Sequence, residues 1–141
     1  MDLNPIIDRL KNNVAIFKLV GGSADIPSAE ERLLNHPAAF VLPLNEVASS
    51  NQLAFSAISQ LVTVNFGVLV AVRNVSDATG LASLTDLEAI RRSVKTQIMG
   101  WQPEADFEPI TYVSGGLLKL SDDAVLWWMD SFTTAYYERV V

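Results

Sequence analysis

The stretch Leu61-Val62-Thr63-Val64-Asn65-Phe66-Gly67-Val68-Leu69-Val70-Ala71-Val72-Arg73 decides the fold. Its even positions, Val62, Val64, Phe66, Val68, Val70 and Val72, are β-branched or aromatic, and an extended chain puts them on one face. The odd positions begin polar at Thr63 and Asn65 and turn apolar at Leu69 and Ala71. A strand apolar on both faces over part of its length is covered on both sides there, so it is an internal strand. Asn74 to Gly80 then reads as a loop of turn residues. After it Leu84, Leu87, Ile90, Val94 and Ile98 recur at helical spacing, with Ser83 or Thr85 at the start and Gly100 at the close. Thr85 and Glu88 have the spacing of a capping box, and Glu88 with Arg92 that of an i,i+4 ion pair. A long strand followed by an amphipathic helix predicts a two-layer α+β domain.

Working toward the N-terminus, Asn4-Pro5 reads as a helix start, with Asn4 as N-cap and proline at the first helical position. Ile6, Ile7, Leu10 and Val14 form its apolar stripe, and Asp8, Arg9, Lys11 and Asn12 face water. Ala15 to Val20 fits an extended segment or a helix tail, ended by Gly21-Gly22. Ser28 to Leu34 has the caps of a short helix, stopped at His36-Pro37. Ala38 to Leu44 reads as a short buried strand, with Pro43 tolerable at its end or on an edge. Asn45 to Ser59 is a longer link than a tight hairpin requires, with Leu53, Phe55 and Ile58 set among polar residues. Such an excursion docks on something.

Toward the C-terminus, Trp101 to Pro109 is an acidic, proline-punctuated linker. Trp101 is placed to cover the helix end. Ile110–Val113 and Leu117–Leu120 read as two short strands around a turn or bulge at Ser114-Gly115-Gly116. Val125 to Tyr137 is a last long strand in which Trp127 and Trp128 point to opposite faces. The expectation is one domain over residues 1–141. It is an α+β fold with a mixed, mostly antiparallel sheet covered by two to three helices.

Composition narrows the function. Half the residues are hydrophobic and 18% are charged, which excludes a disordered chain and suggests apolar surface shared between subunits. The net charge of -6 gives no support to a protein that grips phosphates. The absence of cysteine removes disulfides, thiolate nucleophiles and cysteine-based metal sites. No basic and then apolar leader is evident, and no apolar run approaches the ~20 residues of a membrane span. His36, the only histidine, reads as a loop residue. Asp122-Asp123 and Glu30-Glu31 read as turn and helix-start residues, because adjacent side chains diverge. Gly21-Gly22 and Gly115-Gly116 lack the pattern of a phosphate loop. No catalytic residue, cofactor site or metal site emerges.

The segments that carry a family likeness are Ile6-Ile7-Asp8-Arg9-Leu10-Lys11, Leu19-Val20-Gly21-Gly22 and Pro37 to Leu44. With them go Phe66 to Asn74, Leu87-Glu88-Ala89-Ile90-Arg91, Gly100-Trp101-Gln102-Pro103, Leu126 to Asp130 and Thr134 to Tyr137. In this order and spacing the chain resembles the small Gp37-like tail terminator proteins of Mu-like long-tailed phages, over nearly its full length. The resemblance implies a tail-terminator-like α+β protomer, a homohexameric ring and no catalysis. It implies a virion protein of the tail and its head–tail joint, made in the bacterial host cytoplasm. Its partners would be the tail tube protein and a head-side connector or stopper. DNA would only pass through the lumen, and no membrane would be involved. For such a ring, Leu53, Phe55, Ile58, Val113, Leu117 and Lys119 are candidate subunit-interface residues. Asp77, Thr79, Glu104 and Asp106 are candidates for contact with tube or head. Two other classes remain open: a small monomeric α+β binding module, and a metal-dependent enzyme with a carboxylate-only site from Asp122, Asp123 and Asp130.

Overall fold

The computed structural model describes residues 1–27, 37–73, 81–121 and 125–140, with residues 81–86 described in their backbone alone. Helix α1 (Asn4–Asn13) leads to strand β1 (Leu19–Gly22) and a 3-10 turn at Ser23–Asp25. Strands β2 (Ala38–Ala48) and β3 (Ile58–Arg73), helix α2 (Leu81–Ile98), and strands β4 (Thr111–Leu120) and β5 (Val125–Val140) follow. The strands form one sheet in the order β1-β2-β3-β5-β4. Only the β1–β2 pair is parallel. This is the expected α+β class, and β3 lies inside the sheet as its sequence required.

The even residues of β3 face the helices. Val62 and Val64 are buried, and Phe66, Val68, Val70 and Val72 share a core with Ile6 and Leu10 of α1 and with Leu87, Ile90, Val94 and Ile98 of α2. Phe66 stacks on Phe132 of β5 with centroids 5.6 Å apart, and Tyr112 of β4 meets Phe132 edge-on. On the other face Leu69 and Ala71 pack with Ala38, Phe40, Val125 and Trp127. Trp127 stacks on Phe40 while Trp128 joins the helix-side core, so the two indoles do diverge. Helix α2 ends as expected: Gly100 has φ +80, the left-handed region where a side chain would be strained.

Several expectations need correction. Helix α1 is capped from Leu3, and Asp2 rather than Asn4 supplies the side chain: its Oδ1 accepts the Asn4 N–H at 2.9 Å. Arg9 is not simply solvated. Its Nε donates to the Gln97 carbonyl at 2.6 Å and its guanidinium lies over the Trp101 ring, so it ties α1 to the end of α2. Gly21-Gly22 are the last two residues of β1 and close the extended segment from within the strand. Helix α2 begins at Leu81, before Ser83 or Thr85. Glu88 pairs with Arg91 at 2.7 Å, not with Arg92. Strand β2 continues to Ala48 through a register shift between Pro43 and Asn45. Proline is tolerated there because β1 pairs with Ala38–Val41 only, and among the described residues no strand pairs with the outer edge of β2 beyond it. The glycine pair at 115–116 does not turn the chain: β4 is one strand, bulged between Tyr112 and Ser114 and again between Leu117 and Lys119. The expected helix at Ser28–Leu34, its capping box, His36 and the Asn74–Gly80 loop lie outside the described residues, as do the Asp122 and Asp123 turn residues.

Val68 tests the core assignment, since it sits fully buried opposite Asp130. A second carboxylate there, unpaired, costs several kcal/mol, so Val68→Asp should leave no cooperative thermal transition. A variant that melts like the parent would show that the face is not buried.

Candidate assembly surfaces

Three regions stand out from the core. The first is the β2–β3 hairpin. The expected arm at Asn45–Ser59 is mostly strand at its base, and its loop runs only over 49–57. Asn51 organises the tip. Its Nδ2 donates to the carbonyls of Leu53 and Ala57, and its Oδ1 accepts the N–H groups of Leu53 and Ser59. Ser49 accepts from the Leu61 N–H through its hydroxyl, and Gln60 returns a side-chain bond to the Ser49 carbonyl. The tip is thus fixed by its own hydrogen bonds, as an Asx-type turn is. Phe55 stands on it at φ 63 with its side chain wholly in solvent. Leu53 is about half exposed, and Ile58 is half-buried at the start of β3.

The second region is β4. It is a ten-residue edge strand, and its exposed residues include Val113, Leu117, Leu118 and Leu120, each more than half accessible. An edge of this length is ordinarily blunted by charges, proline or a covering element. The charge on this edge is Lys119, whose ammonium lies over the Trp127 ring, 5.3 Å from its centroid.

The third region is the segment between α2 and β4. It is a closed loop rather than a slack linker. The Gly100 N–H donates to the Ile110 carbonyl, and the Ile110 N–H to that of Trp101. Gln102 holds the Phe107 carbonyl, Phe107 meets Tyr136 edge-on, and Thr134 donates to the Glu108 carbonyl at 2.6 Å. Glu104 and Asp106 are exposed on this loop. Asp77 and Thr79 lie outside the described residues. The structure therefore places Leu53, Phe55 and Ile58 on the hairpin, Val113, Leu117 and Lys119 on the free edge, and Glu104 and Asp106 on the loop after α2.

A fourth feature was not foreseen. Asp130, almost fully buried on β5, accepts a two-pronged ion pair from Arg91 of α2: Nε to Oδ2 at 3.0 Å and NH2 to Oδ1 at 2.9 Å. Tyr112 Oη and Trp128 Nε1 also donate to Oδ1, at 3.2 and 2.9 Å. Arg91 stacks over the Trp128 ring and Lys95 over that of Tyr112. Hydrogen bonding to Asp130 raises the Arg91 pKa, against the opposing effect of burial. Burial and the Asp130 charge push the Tyr112 phenol above its usual 10. A Cβ on Gly115 would run into Asp130 Oδ1 and Tyr112 Oη, which is why glycine stands there. All of this engages the carboxylate, so Asp130 works as a strut between helix and sheet and is not available to a carboxylate site. No group of three or more His, Cys, Asp or Glu that could hold a metal occurs among the described residues. No helix among them is long and apolar enough to cross a membrane.

The model of a family described as phage tail terminator protein matches residues 1–140 of the chain. No curated protein matches it.

Two outcomes test the strut. Asp130→Ala leaves the mostly buried Arg91 guanidinium with only the exposed Glu88 as its ionic partner and should cost about 3 kcal/mol in denaturant unfolding. Asp130→Asn keeps some of the bonds and should cost less. The raised Tyr112 pKa means that folding favours its protonated form. The stability it contributes is full below about pH 10 and is lost as pH rises through the higher folded value. Tyr112→Phe should therefore flatten part of the alkaline fall in melting temperature. An unchanged alkaline limb would remove Tyr112 from that titration.

Proposed function

The chain belongs to the phage tail terminator family, and from that premise we propose that it forms a hexameric ring capping the head-proximal end of a finished tail tube. As a member it is a structural component of a phage tail. In the proposed role it stops tube growth and provides the joint on which the head is seated. It is assembled from chains made in the cytoplasm of the bacterial host. Its partners are the tail tube protein on one side and a head-side connector or stopper on the other. It needs no cofactor and catalyses no reaction.

The observation that supports the ring is a pair of unlike edges that have no strand neighbour among the described residues: β4 on one side of the sheet, and β2 beyond Val41 on the other. Ring contacts are heterologous, since each subunit must offer two different surfaces whose rotation closes the circle. A sheet with two different open edges meets that requirement. The exposed apolar residues of β4 and of the hairpin supply contact energy, because apolar burial contributes most of the free energy while charges fix register. The segment 74–80, which lies outside the described residues, and the segment 102–108 are assigned to contacts with tube or head. The net charge of -6 suits a lumen that passes DNA without holding it.

A phage deleted for this gene should make heads and tails that do not join, with tails of abnormal length seen by electron microscopy. Normal tails joined to heads would refute the proposal. The purified protein should show no saturable shift of double-stranded DNA in a gel at physiological salt. Tight binding there would overturn the electrostatic part of the reading.

A further inference from the structure

We infer that Phe55 of one subunit seats in a cavity beside the free edge of β2 in the next copy of this chain, an anchor that rests on the ring proposed above. The cavity is lined by Met1, Leu3, Pro43, Leu44, Val64 and Phe66 together with the polar Asn45, Glu46 and Asn65, and holds about 170 Å³. Glu46 pairs there with the N-terminal ammonium of Met1 at 3.4 Å, which leaves the apolar side chains for a ring to meet. A volume of roughly 150 Å³ accepts benzene, so this one has room for a phenyl ring. Among the described residues, β2 has no outer strand neighbour here, past Val41.

The tip is built to deliver the ring. Asn51 makes its four bonds across the loop, and they hold Phe55 in a left-handed conformation in which its side chain meets nothing of its own chain. A loop fixed in advance loses little conformational freedom on docking. The Phe55 of the same chain does not reach the cavity. Strand β3 rises roughly 3.3 Å per residue, so the run from Ile58 to Phe66 separates tip from cavity by roughly 25 Å. The pairing of β3 with both β2 and β5 keeps that run extended. Knob and hole therefore lie on one chain yet join only between chains. In the proposed ring they join head to tail, each subunit giving its knob to one neighbour and its hole to the other.

The contact is an anchor and not the whole interface. A buried aromatic side chain covers roughly 150–250 Å², against the ~1,200–2,000 Å² of a stable interface. The remainder falls to the strand edges on either side.

The chain has no cysteine, so thiols can be introduced singly. Phe55→Cys and Leu44→Cys are made as separate proteins, mixed, and treated with a short bis-maleimide, both free in solution and on tail tubes. Cross-linked dimers should form from the mixture, and neither protein alone should give them. The double variant should give a ladder up to the ring. Ile16→Cys, an exposed apolar position on another part of the surface, replaces Leu44→Cys as control. Phe55→Ala should weaken self-association about tenfold to a hundredfold, the loss expected for one buried phenyl group. It should leave the melting of the monomer unchanged, because Phe55 touches nothing there. Rings, measured by mass or seen on tube ends, that give no more cross-link than the control would overturn the anchor and leave the ring standing. Absence of any ring, in solution and on tubes alike, would overturn the ring and the anchor with it.

Discussion

The pairing of β3 with β5 is the constraint on which the structure depends. The two strands run antiparallel in unbroken register from Ile58 opposite Val140 to Arg73 opposite Val125. Sixteen-residue strands at ~3.4 Å per residue span roughly 54 Å. The 18 residues of α2 span only roughly 27 Å. A helix of that length is shorter than such a ladder, so one end of the ladder projects beyond it. The projecting end is the one where β2 and β3 carry their hairpin and β5 finishes at Val140. The arm is thus a consequence of unequal lengths, and its exposed residues, Val47, Phe55, Tyr137 and Val140 among them, follow from it.

Where helix and ladder do overlap, the Arg91–Asp130 pair fixes their relation. Burying a carboxylate is costly, and the pair does not by itself argue for stability. Its value lies in geometry. Asp130 faces the helices from the position opposite Val68, in a stripe that is otherwise Trp128, Phe132 and their apolar neighbours. An apolar stripe alone would let α2 slide along the sheet at little cost. A two-pronged ion pair, with Tyr112 of β4 drawn onto the same oxygen, permits one placement of helix and edge strand together. Gly115 leaves the room that this arrangement needs. The bulge between Tyr112 and Ser114 sits beside it, so the shape of the free edge is tied to the buried charge.

The core was legible in the sequence because its periods are strong. The even-numbered stripe from Val62 to Val72 and the helical stripe from Leu87 to Ile98 each have one sensible reading, and both are buried as read. The surfaces were less so. Pro43 and Asn45 look like the end of a strand, and only the missing outer neighbour of β2 explains why the strand passes through them. Ser114-Gly115-Gly116 fits a turn or a bulge, and the strand is bulged on either side of the glycines, while the reason for the first glycine is a carboxylate at Asp130. Asp130 did carry a signal, as a lone charge on an aromatic strand face. Its partner did not, because nothing local links Arg91 to a residue 39 positions away. The hairpin residues were noticed for being apolar among polar neighbours. Their rigidity was hidden, since it depends on Asn51 reaching back across the tip to Ser59.

A protein with two unlike sticky edges faces a hazard, because heterologous contacts that fail to close give filaments instead of rings. In the proposed ring the features of β2 bear on this choice. Its outer edge is free only from Leu42 to Ala48, it lacks one N–H at Pro43, and it is bulged directly after. A short, interrupted edge admits few registers, whereas a long flat one admits many and slips. The bulge also adds local twist, which turns the incoming strand relative to the sheet that receives it. One permitted register with one built-in rotation is the condition for each subunit to be placed identically against the last, and identical placement is what brings the final subunit back to the first. In the proposed role the net charge of -6 bears on the same choice, since like-charged chains repel in solution and a complementary tube end would supply the missing contacts. Strong edges restrained by a narrow register are then compatible with a protein that stays apart until a tail is ready to be finished.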